Sequence, residues 1–141
     1  NAVRNNVNQF VAVDSLNMLK AAGRVQGDDA YFGNLLGVKP IIISDTVGNN
    51  IPIKKVKGRA KMIEELAELT ADAILEPENQ EILIAHADCE EDAEELKELV
   101  EEKIPGVKIY IGYIGPIIGA SIGADALGIF CWGKNIDRFS A

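Results

Sequence analysis

The sequence predicts a two-layer α/β domain: a mixed sheet with helices on one face. Three observations carry that expectation. From residue 51 onward, runs rich in β-branched residues alternate with helix-period segments, which implies crossover connections and some parallel pairing. Two such runs, 38–44 and 51–57, flank a loop containing Gly48, Asn49 and Asn50, which reads as an antiparallel hairpin. The helical segments each carry a single apolar stripe, enough to cover one face of a sheet but not two.

Each element has its own local reason. Asp14 is placed to cap a first helix over 14–22, with Leu16 and Leu19 on one side and Gly23 as its stop. Asp28 and Asp29 favour the positive end of a second helix over 28–36, closed by Gly37. Pro40 sits near the start of the strand over 38–44, where a missing N–H is tolerated. The segment 58–75 has the clearest helical period: Met62, Ile63, Leu66, Leu69, Ala73 and Ile74 face one way, Glu64, Glu65, Glu68 and Asp72 the other, and Pro77 ends it. A buried strand over 81–87 follows. Asp88 is then the expected cap of a helix to Lys103, with Glu90, Glu91 and Asp92 in its first turn. Pro105-Gly106 turns the chain into a strand over 107–114. A glycine-rich loop or short helix over 115–125 leads to the last strand, 127–132.

Composition narrows the function classes. The chain has 141 residues, of which 48% are apolar and 26% charged, with a formal charge of −8. That length supports one core, and that composition excludes disorder as the dominant state. An acidic surface opposes phosphate backbones and anionic membrane surfaces, so neither nucleic acid nor a membrane is an expected partner. The uncharged stretch 109–124 is broken by Gly112, Gly115, Pro116, Gly119 and Gly123. It reads as strand, turn and strand rather than a membrane span. Cys89 and Cys131 stand far apart and the only histidine is His86, a poor set for zinc. Two isolated thiols point to a reducing, cytoplasmic setting. The polar start with Arg4 does not read as a signal peptide. Asn1-Ala2 reads as a tag remnant, leaving a domain over 3–141 cut from a longer protein.

No catalytic set stands out. The strand-to-helix corner Ala85-His86-Ala87-Asp88 lacks a serine nucleophile. Cys89 beside His86 would need a lowered thiol pKa, which the acidic residues after it oppose. His86 reads better as a strand-end residue bonded to backbone. The glycines between 112 and 128 match neither a dinucleotide fingerprint nor a P-loop. Lys57, Arg59 and Lys61 crowd cations at a helix start against its dipole, a pattern that suits a nearby anion or a solvated charged face.

Five spaced motifs carry a resemblance. They are Leu19-Lys20-Ala21-Ala22-Gly23-Arg24-Val25, Leu35-Leu36-Gly37-Val38-Lys39-Pro40-Ile41 and Lys55-Val56-Lys57-Gly58-Arg59, then Ala85-His86-Ala87-Asp88 with Asp92-Ala93-Glu94-Glu95-Leu96, and Gly119-Ala120-Ser121-Ile122-Gly123. Together they resemble the C-terminal half of the DegV family. The resemblance implies a mixed six-stranded sheet and no cofactor. It implies a long-chain fatty acid as ligand, held against the protein's own N-terminal domain and presented to a separate ATP-dependent fatty-acid kinase. It puts the carboxylate near Lys57, Arg59, Ser121 and Gly123, and the acyl chain near Leu35, Leu36, Ile41, Ile43, Ile117 and Ile118. Three positions depart from the family pattern: Lys57 stands for an arginine, Ala22 for a glycine, and Ser121 for a histidine that helps hold the carboxylate. Asp125 adds a negative charge after that loop. The competing expectations are a small hydrolase or transferase using His86 and Cys89, and a dimerising interaction domain.

Overall fold

A computed structural model describes residues 3–15, 17–23 and 37–139. In chain order the elements are β1 (Val7–Ala12), α1 (Asn17–Ala21), β2 (Val38–Ser44), β3 (Asn50–Lys57), α2 (Arg59–Ala73), β4 (Glu81–His86), α3 (Glu90–Lys103), β5 (Lys108–Tyr113), α4 (Pro116–Ile122) and β6 (Leu127–Trp132). The six strands form one mixed sheet in the order β3-β2-β1-β6-β4-β5. The β2–β3 hairpin is antiparallel, as its loop predicts, and β4–β5 is the parallel pair.

β1 is a strand that pattern reading leaves out, and it lies in the middle of the sheet. Six of its residues pair with β6 and two with β2. Strand alternation is masked there because Asn8 faces the core, fully buried, at a position where an apolar residue is expected. Its amide donates to the carbonyls of Asn6 and Lys134, and its oxygen accepts from Arg138 at 2.8 Å. With its hydrogen bonds met, burial of the asparagine is tolerated.

Two other expectations shift. The first turn of α3 is capped at Cys89 rather than Asp88, which takes a left-handed conformation (φ 58°) just before it. The helix expected to reach Leu75 stops at Ala73. There Ile74 turns extended to bridge Gly133, and Leu75 N–H donates to the Trp132 carbonyl. The expected second helix, 28–36, lies outside the described residues.

Side-chain alternation divides the sheet into two faces. Phe10 and Ala12, Ile41 and Ile43, Ile82 and Ile84, Leu127 and Ile129 all point to one face. The long helices α2 and α3 cover it with Met62, Ile63, Leu66, Ala93, Leu96 and Val100. Each fully buried Met, Ile, Leu or Val side chain among them contributes roughly 1.5–3 kcal/mol. The short helices α1 and α4 gather at one end of the opposite face. There Leu19 and Ile122 meet Val13, Ile42 and Ala126 in a second, smaller cluster. The rest of that face is uncovered by helix among the described residues.

Candidate functional site

The uncovered face carries a groove of about 490 Å³ running across the strands beside α4. Val11, Ile42, Ala85, Gly128 and Phe130 make its floor, and Leu19, Ile117, Ile118 and Ile122 come from the two short helices. Gly128 keeps that floor low: a Cβ there would stand 3.2 Å from the Phe130 ring and 3.4 Å from Val11. Among the described residues its polar side chains are few: Gln9, Asn50, Ser121 and the phenol of Tyr113. An apolar trench with sparse polar groups suits an elongated aliphatic ligand. Large apolar side chains lie exposed along it: Ile117 at 86%, Tyr113 at 77% and Ile118 at 59%.

The residues singled out from sequence divide into four groups. Ser121, Ile117 and Ile118 do line the groove, all on α4. Ser121 Oγ donates back to the Ile117 carbonyl at 3.3 Å. Ile41 and Ile43 instead lie in the core beneath α2, and Ile42 between them reaches the groove. Three consecutive isoleucines give no hint of parity, and only the register decides it. Lys57, Arg59 and Gly123 are absent from the lining. Lys57 ends β3 opposite Val38. Gly123 holds φ 85° directly after α4, a conformation suited to glycine. Leu35 and Leu36 lie outside the described residues.

Arg59 has internal partners. Its Nε donates to Asp92 Oδ2 at 2.6 Å and its Nη1 to the Asp125 carbonyl at 2.7 Å. Nη2 sits buried against the same Asp92 oxygen as an ion pair without hydrogen-bond geometry. Asp125 is itself left-handed (φ 61°), and its N–H donates to the Ala87 carbonyl at 2.7 Å. Arg59 therefore ties the starts of α2 and α3 to the turn that follows α4.

Sequence reading passed over Gln9, Val11, Leu83, Ala85, Asn50 and Phe130, all groove-lining. The available signal was Leu83: an apolar side chain between the core-facing Ile82 and Ile84 demands a second dry surface. For β1 no such signal existed, because the strand itself was hidden.

His86 and Cys89 do not form a nucleophilic pair. His86 is 2% exposed, and its Nδ1 accepts the Cys89 backbone N–H at 3.3 Å, which assigns the ring proton to Nε2. Its carbonyl accepts from Ile114 N–H at 2.8 Å, and its ring packs against Tyr113. The Cys89 thiol donates to the Ala126 carbonyl, and burial pushes its pKa above the ordinary value despite nearby Arg59. A thiol kept protonated is a weak nucleophile. Both cysteines are buried and unbridged. Among the described residues no His, Cys, Asp and Glu side chains gather as a metal site, and no helix is long and apolar enough to cross a membrane.

Comparison with known proteins adds the family. A family model described as an uncharacterised protein of the DegV family matches residues 1–134. A DegV domain-containing protein of Clostridium perfringens is 39% identical over 132 residues, which are 94% of this chain and 45% of that protein. The crystal structure of DegV from Bacillus subtilis, described as a fatty acid binding protein, is 32% identical with a TM-score of 0.73, over 94% of this chain and 47% of that one. A fatty acid binding DegV family protein from Streptococcus agalactiae is 28% identical with a TM-score of 0.79, over 95% and 47% of the two chains. The chain thus spans about half the length of these relatives. With residues 1–134 matched and the fold shared, the chain belongs to the DegV family.

Proposed function

We propose that this domain is one half of a fatty-acid carrier, which binds a long acyl chain and leaves catalysis to a separate kinase. The observation that carries the reading is the groove: an apolar trench of about 490 Å³ on the sheet face opposite α2 and α3. Burying an aliphatic tail there gains about 0.8 kcal/mol per methylene. The Bacillus and Streptococcus relatives, described as fatty acid binding, support the same ligand class. The second half of the carrier is the N-terminal domain of the family, which closes over the open face. Presentation of the acid to an ATP-dependent kinase is carried by the family resemblance. The buried, unbridged thiols support a reducing cytoplasmic setting.

In this reading Ser121 marks the carboxylate end, since it is the α4 side chain that is both polar and groove-lining. Lys57, Arg59 and Gly123 contribute by shaping or charging the surroundings of α4. His86 and Cys89 serve the fold. Native mass spectrometry of the intact protein after bacterial expression tests the ligand directly: a co-purified fatty acid is expected. Ser121→His provides the second arm. A protonated imidazole favours a carboxylate, so affinity should rise a few-fold near pH 6 and the gain should fade as pH climbs through ~6.5. Purification without lipid and without fatty-acid affinity overturns the carrier reading. A flat pH response of Ser121→His moves the carboxylate away from α4.

A further inference from the structure

On the open face the strand registers align one residue from each strand into straight rows. One row crosses the whole sheet: Asn50, Ser44, Gln9, Phe130, Leu83 and Tyr110. Its second half is large and apolar. Its first half is polar and joined: the Gln9 amide donates to Ser44 Oγ, and Ser44 Oγ donates to Asn50 Oδ1 at 2.9 Å. The next row toward α4 holds Ile42, Val11, Gly128 and Ala85 and is apolar throughout. Gln9 and Asn50 line the groove at its β3 side, away from Tyr113 on β5. The groove is therefore polar at Ser121 on α4 and polar again at the Gln9 row, with an apolar stretch between.

We infer that the Gln9–Ser44–Asn50 row is the distal stop of the groove, which sets the longest aliphatic chain it accepts. The inference rests on the fatty-acid reading above and adds to it a length limit. A methyl terminus driven into the row must strip hydrogen bonds from an amide or a hydroxyl and return none. Leaving one such group unpaired costs more than one further methylene gains. A chain that ends short of the row disturbs nothing. Affinity should accordingly rise with chain length by roughly fourfold per methylene and then break, rather than climb without limit.

The experiment is a titration of the intact protein with saturated acids of about 12 to 20 carbons, an extent chosen to span the gain per methylene. Gln9→Leu and Ser44→Ala are compared with the unaltered protein, and thermal melts confirm that each is folded. The expected result is that Gln9→Leu moves the break outward by a carbon or two. It should raise affinity for the longest acids roughly fourfold or more and leave the shortest unchanged. Ser44→Ala should move the break in the same direction by less. A break that stays in place in both folded variants overturns the inference and leaves the carrier reading standing. Weakening by a similar factor at every length also overturns it, because the row would then hold the carboxylate. Failure of the unaltered protein to bind any of the acids overturns both.

Discussion

Alternate residues of the same six strands build two unlike surfaces. On one, Ile82, Ile84, Phe10 and Ile129 are fully or almost fully buried against α2 and α3. On the other, Leu83 is 39% exposed and Tyr110 59%, beside a groove floored by Gly128 and Ala85. The two differ in what remains polar. On the core face the exceptions, Asn8 and His86, spend their hydrogen bonds on backbone or on Arg138. On the groove face Gln9, Ser44 and Asn50 bond to one another across strands. Burial by the protein's own helices demands volume and complete hydrogen bonding, whereas the open groove stays apolar without being filled.

Adjacent residues of β4 test that contrast most sharply. Ile84→Ala on the core face should destabilise the domain by about 2–5 kcal/mol, because the cavity between β4 and α3 cannot fully collapse. Leu83→Ala, one residue away and half in solvent, should change stability by no more than about 0.5 kcal/mol and weaken fatty-acid binding instead. Urea unfolding and a binding titration on the same two variants measure both. Equal destabilisation would mean that the groove face is packed by something as tightly as the core.

The dryness of the core face gives a pH prediction of somewhat smaller size. Cys131 points into it, and burial pushes its thiol up to about 11. A folded-state pKa raised above the unfolded value stabilises the fold fully below pH ~9. That contribution is lost as pH rises through the folded value. Each tenfold drop in proton activity across this window removes about 1.4 kcal/mol, so on the order of 2–3 kcal/mol should disappear between pH 9 and 11. Urea unfolding across that range should show the decline, and Cys131→Ala should make it shallower, the raised Cys89 thiol keeping a remainder.

The smallest effect is expected where the two faces meet. Arg59 holds Asp92 and the Asp125 carbonyl at the foot of α4. Its side chain is about a quarter exposed, so Arg59→Ala should cost only about 1–2 kcal/mol. Fatty-acid affinity should fall modestly as the α4 anchor loosens, and Arg59→Lys should recover part of both. Loss of affinity above about tenfold with stability unchanged would place Arg59 on the ligand itself, as the resemblance implies.

The fold was legible where one rule operated alone. β2 and β6 begin and end where their β-branched and apolar runs do, and the 3.6-residue stripes of α2 and α3 locate both long helices. β1 was hidden because a satisfied asparagine occupies a core position, so the centre of the sheet is the strand that alternation could not reveal. Of the candidate groove only the α4 side was legible, where Ser121, Ile117 and Ile118 fall on one short element. Elsewhere the groove is assembled from one or two residues of each strand, those of β1, β4 and β6 two positions apart, contributed by strands far apart in the chain.

By itself the sequence determined the class of the domain, the two helices that cover it and the family to which its motifs point. Those are local properties, set by period, turn chemistry and short spacings. Tertiary structure alone decided which isoleucine among Ile41, Ile42 and Ile43 faces the groove, and that Arg59 is engaged by Asp92. It also brought Gln9, Ser44 and Asn50 into one row. The physical reason is register: a shift of one residue sends a side chain to the opposite face, and register is fixed by pairing between strands rather than within them.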